Sequence, residues 1–201
     1  MVAAAEAVVQ REGVDALTMR RVAQELGSSP MSIYRHVRHR DELLVLLLEK
    51  LAADLPKPRL PRQPRARLQR ACRIMRDGLA QHPWIVDVLA AGDLIAPSIL
   101  WLMEEIVASF VACGLSHAQA AEAYRTVWIF TVGELIVRRG LDRMAQLERK
   151  PYVLEVLTSV DRRLLPTLAA LAPYWAPARQ RDSFDAGLQA LLEGLLQQAA
   201  G

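Results

Sequence analysis

The sequence has no asparagine and only ten glycines among its 201 residues. Tight hairpins between antiparallel strands depend on Asn-Gly and similar pairs, so a β fold of this length should contain several of them. Helix-favouring alanine, leucine, arginine and glutamine dominate instead, and apolar residues recur every three or four positions. The sequence therefore predicts an all-α fold, and its 52% apolar content is ample for a packed core.

Cysteine is equally scarce, because Cys72 and Cys113 are the only two. Their spacing suggests neither a disulfide framework nor a zinc site, which favours small buried residues in a reducing cytoplasm. The longest apolar runs, such as 43–48 and 126–133, are too short to span a bilayer. The N-terminus also lacks a basic segment followed by an apolar core, so we expect a cytoplasmic location without export.

Motifs that carry catalysis are missing as well. The sequence shows no glycine-rich phosphate loop and no serine-centred elbow. His36 and His39 are three residues apart, but no third ligand lies nearby. We therefore expect no catalytic residues, no metal and no cofactor.

The most informative segment is residues 16–44, ALTMRRVAQELGSSPMSIYRHVRHRDELL. Thr18 can cap one short helix, and Gly27 can end it with a left-handed residue. Pro30 suits the first position of a second helix, which Ser28 or Ser29 can cap. The brief turn between them is typical of a helix-turn-helix whose second helix enters the major groove of DNA.

The second helix has one buried stripe, formed by Ile33 and Val37, so its other side chains face outward. The net charge of the chain is only +3, which does not by itself indicate a nucleic-acid binder. Basic residues are concentrated within 18–40, however, against the single acid Glu25: Arg20, Arg21, Arg35, Arg38 and Arg40. This local charge lies where phosphates would be.

These residues resemble the signature of the tetracycline-repressor (TetR) family of bacterial transcription regulators. The matching positions lie near the N-terminus, after a predicted helix over 2–12 and before another over 41–54: Thr18, Ala23, Gly27, Tyr34, Val37, Arg40 and Leu43. The resemblance implies that Thr18, Tyr34 and Arg40 hold phosphates, although the family usually has lysine at the last position. It implies base reading by Ser28, Ser29, Met31, Ser32, Arg35 and His36.

Four prolines within 56–64 predict a stiff boundary between two units. Residues 1–54 are expected to form a DNA-binding domain with its linking fourth helix, and residues 64–201 a helical domain for ligand binding and dimerisation. The helices expected there span 64–81, 84–91, 96–113, 117–139, 153–171 with a break at Pro166, and 183–199. Arginines on the first of these indicate a solvated or partner-pairing face, or else a second contact with DNA.

The second unit concentrates large side chains, which are either plain core or the lining of a small-molecule cavity such as the family holds there. The candidate ligand-binding residues are Trp84, Trp101, Met103, Glu104, Tyr124 and Trp128. Acids among apolar neighbours, namely Asp87, Asp93, Glu104 and Glu134, would be costly to bury without a partner. Glu134 either pairs with an arginine across a dimer or anchors a cationic or hydroxyl-bearing ligand.

The last helix has a broad apolar face, wider than a short terminal helix needs for its own domain. The family forms a four-helix bundle from this helix and the long one before it, across a twofold axis. The residues expected at this interface are Gly133, Phe184, Leu188, Leu191 and Leu195, with Gly133 permitting close approach. The alternative is that both helices pack within one chain.

The leading interpretation is a homodimeric repressor that an unidentified small molecule releases from a palindromic DNA operator, by tilting the 41–54 helix. A competing interpretation is an all-α enzyme or small-molecule-binding protein without sequence-specific DNA binding. An activator, or a repressor without a ligand, would share the same DNA chemistry.

Overall fold

The structure, a computed structural model, describes residues 1–90, 94–147 and 151–197. Within those ranges it contains eleven α-helices and no β-strand, so the all-α prediction is confirmed. The helices are α1 Val2–Glu12, α2 Met19–Glu25, α3 Pro30–Tyr34, α4 Arg40–Ala53, α5 Pro64–Gln81, α6 Pro83–Ala90, α7 Leu100–Ala112, α8 His117–Gln146, α9 Tyr152–Thr158, α10 Pro166–Gln180 and α11 Phe184–Gln197.

Helices α1 to α4 form a small head with its own apolar centre. Leu17, Val22, Ile33, Leu43 and Leu47 are almost fully buried there. Helix α1 packs against α2 and α4, and α2 packs against α3. The head is therefore a three-helix unit closed by the first turns of α4.

Helices α5, α7 and α8 form the centre of a larger body, and α11 packs against α5 and α8. Leu68, Leu102, Ile106, Phe110 and Val127 are fully or almost fully buried between them. Ser116 begins α8 with a capping box, in which the Gln119 amide donates to Ser116 Oγ and Gln119 Oε1 accepts from the Ser116 amide. The core of the body is continuous with that of the head.

The largest departures from the predicted helices lie in the second half of the chain. Helix α8 continues to Gln146, and the segment expected over 153–171 with a break at Pro166 forms two helices, α9 and α10, the second of which continues to Gln180. The predicted break lies just before Pro166, which begins α10 because the first helical position needs no amide hydrogen. The predicted ends at residues 91 and 199 lie outside the described residues.

A short 3₁₀ turn, Pro97–Ile99, precedes α7 where a continuous α-helix was expected. Across the described ranges, no helix combines the length and the apolar character that a membrane span requires.

Candidate DNA interface and ligand cavity

The turn between α2 and α3 has the local chemistry that the sequence predicts. The Arg21 amide donates to Thr18 Oγ1 over 3.1 Å, so Thr18 caps α2. Gly27 has a φ of 61°, a left-handed conformation that glycine adopts without strain. Ser29 occupies the capping position of α3, although its side chain makes no capping hydrogen bond.

Helix α3 presents two different faces. Ile33 and Val37 are 2% and 1% exposed and face the core of the head. Met31 is 71% exposed and Tyr34 is 51% exposed, and Arg35 and His36 are exposed as well. The outward group expected from the periodicity is therefore accessible, and its contact with DNA stays a prediction.

The serines before and within α3 are partly engaged with one another. Ser32 Oγ donates to the Ser29 carbonyl over 2.6 Å and lies 3.1 Å from Ser28 Oγ. A hydroxyl has one proton to donate, so Ser32 retains only acceptor capacity toward a base. This geometry weakens the expectation that Ser32 reads bases.

Arg40 makes two contacts within the head that the sequence analysis did not predict. Its Nε donates to the Leu17 carbonyl over 3.0 Å and its Nη2 to the Val14 carbonyl over 2.8 Å. These two bonds hold the turn that precedes Thr18, and they use two of the five N–H donors of the guanidinium. Three donors remain, so the phosphate contact that the resemblance implies for Arg40 stays a prediction.

Ion pairs divide the arginines of the head into two groups. Arg21 Nη2 lies 2.6 Å from Glu12 Oε1 and 3.0 Å from Glu25 Oε2, and Arg11 also pairs with Glu25. Hydrogen bonds from Arg11 and Arg21 hold the pKa of the Glu25 carboxyl below its ordinary value. Among the described residues no acid pairs with the remaining exposed arginines, which are Arg20, Arg35 and Arg38.

The start of α4 has a cap that the sequence analysis missed. The Glu42 amide donates to His39 Nδ1 over 3.3 Å, and Glu42 Oε2 accepts from the Arg38 amide over 2.5 Å. The signal was an acid three residues after a polar residue, the spacing of a capping box. This cap fixes the chain between α3 and α4.

A cavity of about 710 Å³ lies at the junction of the head and the body. Of the predicted ligand-binding residues, Met103, Tyr124 and Trp128 line it. Burial raises the pKa of the Tyr124 hydroxyl, which is enclosed in the protein. Helix α4 also forms part of the wall, through Leu48, Leu51 and Ala52.

The other three predicted ligand-binding residues do not line this cavity. Trp84 is buried at 9% exposure, Lys57 Nζ lies 5.6 Å from the centre of the Trp101 ring, and Glu104 is exposed. The wall of α7 is instead formed by Leu102, Met103 and Ile106, which share one helical stripe that excludes residues 101 and 104. The prediction selected side chains by size, whereas helical spacing decides which ones face the cavity.

A hydrogen-bonded link joins α4 to the wall of the cavity. The Ser98 amide donates to Glu49 Oε2 over 3.1 Å, and Ser98 Oγ donates to Glu49 Oε1. These bonds lower the pKa of the Glu49 carboxyl. Ala96 and Ile99, on either side of this contact, line the cavity. The two partners are 49 positions apart, so no local pattern in the sequence reveals the link.

Two of the predicted dimer residues pack inside their own chain. Phe184 is 4% exposed and Leu188 is 1% exposed, and the Phe184 ring stacks on Phe130 with centroids 5.5 Å apart. Leu191 and Leu195 are half-buried, while Gly133 is exposed. A Cβ at Gly133 would meet no other atom within 4 Å. The interface prediction was therefore wrong for Phe184 and Leu188, because α11 directs that edge of its apolar face toward α8.

The acids that would be costly to bury without a partner are, where the structure describes them, paired within the chain or accessible to water. Glu134 lies 2.7 Å from Arg138 and 3.5 Å from Arg76, and Asp87 lies 2.7 Å from Arg139. Glu104 is exposed, and Asp93 lies outside the described residues. Glu134 thus has arginine partners in its own chain, instead of the partner subunit or the ligand that the sequence analysis proposed.

Arginines of α5 are paired in the same way. They form ion pairs with acids of α7, α8 and α11 and of the segment before α11: Arg65 with Glu193, Arg67 with Glu105, Arg73 with Asp185, and Arg76 with Glu134 and Asp182. These four arginines pair within the chain, whereas Arg70 on the same helix is exposed to solvent.

Sequence comparison matches both units. Residues 1–47 match the model described as "Bacterial regulatory proteins, tetR family", and residues 57–199 match "Tetracyclin repressor-like, C-terminal domain". The transcriptional repressor DrrR1 of Streptomyces coeruleorubidus is 30% identical over 97% of this chain and 75% of its own length. The class A tetracycline repressor of transposon 1721 from Escherichia coli is 25% identical over 97% of this chain and 88% of its own.

A solved structure with the same fold carries a ligand. The ActR protein of Streptomyces coelicolor in complex with actinorhodin superposes with a TM-score of 0.77 at 28% identity. The match covers 100% of this chain and 96% of that one.

Proposed function

Since this chain belongs to the TetR family of bacterial regulatory proteins, we propose that it is a homodimeric repressor, released from a palindromic operator by a small-molecule inducer. The family membership makes it a DNA-binding transcription regulator that responds to a ligand. The operator, the inducer and the sign of regulation belong to the proposal. Because the target is DNA, we expect the protein to act in the bacterial cytoplasm.

The observation that carries the proposal is the shared use of α4. Its first half packs in the head through Leu43 and Leu47, and its second half lines the cavity through Leu48, Leu51 and Ala52. A ligand bound in the cavity would contact the same helix that positions the head. The link between Glu49 and Ser98 supports transmission of that movement to the recognition helix.

DNA contact would involve the exposed face of α3. We assign Met31, Arg35 and His36 to the base edges and Thr18 and Tyr34 to phosphates, with Ser28 and Ser29 beside them. Thr18 accepts from a backbone amide, which leaves its hydroxyl proton for a phosphate oxygen. Arg20 and Arg38 supply positive charge without a competing acid in the described chain.

Exposed apolar side chains support a second copy as the partner. Ile129, Ile136 and Val137 are 56%, 42% and 63% exposed on α8, close to Gly133. Leu164 and Tyr174, in the α9–α10 region, are 77% and 69% exposed. We propose that these surfaces meet their twofold-related copies together with the half-buried Leu191 and Leu195. Light scattering at micromolar concentration should show a dimer for the parent protein and a monomer for Val137→Glu, whereas the exposed control Leu100→Glu should remain a dimer. A monomeric parent protein would refute the proposed interface.

The DNA arm of the test uses duplexes selected by the protein from a randomised library. Fluorescence anisotropy should find one preferred palindrome bound by two chains, with half-sites about 34 Å apart. The preference should survive raised salt, since base contacts do not depend on counterion release as phosphate contacts do. An enzyme or a simple binding protein would enrich no sequence.

A second experiment tests the cavity by filling it with a large side chain in place of a ligand. Ala52→Trp places a large ring toward the cavity, while Ala53→Trp places the same ring on the exposed side of α4. We expect the first variant to lose operator affinity at least tenfold with its helical circular dichroism intact, and the second to bind as the parent does. Equal operator affinity of the two variants would refute the proposal that filling the cavity releases the DNA. Actinorhodin, the ligand of the ActR complex, is the first compound to test against the parent protein.

A further inference from the structure

Met31 is the most exposed of the large apolar side chains in the described head, at 71%. Scattered exposed apolar residues are ordinary on protein surfaces, so exposure alone indicates no function. The position of Met31 within α3 and the state of its neighbours are more informative.

Met31 and Arg35 share the outward face of the recognition helix. The Val37 amide donates to the Ile33 carbonyl over 3.1 Å, so helical geometry continues past Tyr34. Residues four apart then lie on the same side of the helix, and each of these two is turned well away from the buried Ile33. The axial distance between them is about 6 Å, or roughly two base-pair steps.

The hydroxyl of Ser32, the residue next to Met31, is already used within the chain. Ser32 Oγ donates to the Ser29 carbonyl and contacts Ser28 Oγ, and Pro30 has no amide proton to offer. The first turn of α3 therefore presents the Met31 thioether and the exposed Pro30 ring as an apolar surface. Arg35 and His36 give the other end of the helix its hydrogen-bonding capacity.

Base edges in the major groove differ in the group that could meet such a surface. Guanine, adenine and cytosine present hydrogen-bond donors and acceptors, whereas thymine also presents a C5 methyl group. Placing an apolar side chain against an unpaired donor or acceptor would remove its water without replacement, which is costly. The thymine methyl is the surface of the groove that Met31 complements.

We propose that Met31 determines operator specificity by contacting the C5 methyl group of a thymine in each half-site. This inference rests on the proposed function, because it requires α3 to enter the major groove. The thymine lies about two base steps from the base that faces Arg35.

The experiment removes only the methyl group. The probe is the duplex that the parent protein selects from a randomised library, with each thymine replaced in turn by deoxyuridine. One position per half-site should weaken binding about fourfold when replaced once, and about fifteenfold when replaced in both half-sites, as expected for loss of one buried methyl. The other replacements should change affinity less than twofold.

Variants at Met31 show whether this side chain is the one that detects the methyl group. Met31→Ala should bind the thymine and deoxyuridine duplexes equally, while Met31→Leu should keep most of the discrimination. Arg35→Ala should bind both duplexes more weakly but with the discrimination of the parent. Because Met31 is exposed, thermal melting of its variants should match that of the parent protein.

The outcomes separate this inference from the proposed function. If no duplex is enriched, sequence-specific binding fails, and the role of Met31 fails with it. If a palindrome is enriched but deoxyuridine is tolerated everywhere, or Met31→Ala keeps the discrimination, the role of Met31 is overturned and the regulator assignment stands.

Discussion

The arginines around α3 of the head and four arginines on α5 of the body are used in opposite ways. On α5 of the body, Arg65, Arg67, Arg73 and Arg76 each pair with an acid from another part of the chain. Around α3 of the head, Arg35 and Arg38 are exposed, and no acid pairs with them among the described residues.

This difference separates charge that holds the fold from charge that is offered to a partner. A paired arginine has its field neutralised and its donors occupied, whereas an unpaired one retains both for a phosphate or a guanine edge. The net charge of +3 conceals this division, because the two groups are summed together.

The sharpest test of the comparison exchanges Arg35 for alanine. Loss of a bidentate contact with guanine costs about 1–3 kcal/mol, and a twofold complex loses it twice. Operator affinity measured by anisotropy should therefore fall by one to several orders of magnitude, while the melting temperature stays that of the parent. A variant that melted early but bound normally would place Arg35 with the structural arginines.

The reverse result is expected for Arg76→Ala. Glu134, whose side chain is 14% exposed, and Asp182 both lose a partner. The free energy of unfolding, measured with urea, should fall by about 1–3 kcal/mol because a partly buried carboxylate is left less well paired. Arg70→Ala is the matched control, since this residue is exposed on the same helix. Equal destabilisation by both would show that the ion pair is not what stabilises α5.

Tyr34→Ala should have a smaller and more uniform effect on DNA binding. Loss of a hydroxyl contact with a phosphate costs about 0.5–1.5 kcal/mol per half-site, and phosphates carry no sequence information. Affinity for the selected palindrome and for an unrelated duplex should drop by the same factor. A changed base preference with the same overall affinity would assign Tyr34 to base reading.

The smallest effect is expected from the ion pairs of the head. Arg11 and Arg21 lower the pKa of the folded Glu25 carboxyl below 4.5, so its stabilising contribution is present above that pH and is lost as the pH falls through the lowered value. Acidification from about pH 7 to pH 3 should therefore lower the melting temperature of the parent more than that of Glu25→Gln. The control Glu122→Gln, which alters an exposed acid on α8, should show the same pH dependence as the parent. If the melting temperatures of all three proteins fell equally on acidification, Glu25 would not contribute to the pH dependence of stability.

The head was more predictable from sequence than the body because its determinants are local. The Thr18 cap, the left-handed Gly27 and the outward face of α3 each depend on neighbours within a few positions. The role of Arg40 was not predictable in this way, because its partners Val14 and Leu17 lie 26 and 23 positions away.

In the body, helix positions were predicted better than the direction of side chains. Bounds of α5 were correct, yet Trp84, Trp101 and Glu104 were placed in a cavity that they do not line. A helix of the body packs against several other helices. Its amphipathic pattern therefore indicates that a residue is buried, but it does not indicate which of those helices buries it. Phe184 was misplaced for that reason, since only the fold reveals that Phe130 covers it.

The contacts of Arg40 have a consequence for which substitutions this chain can accept during evolution. Its guanidinium holds two main-chain oxygens, and every amino acid supplies such an oxygen. Position 14 can therefore accept many substitutions without loss of this contact, whereas the lysine that the family usually has at position 40 concentrates its donors on one nitrogen and would hold the two separated carbonyls less well.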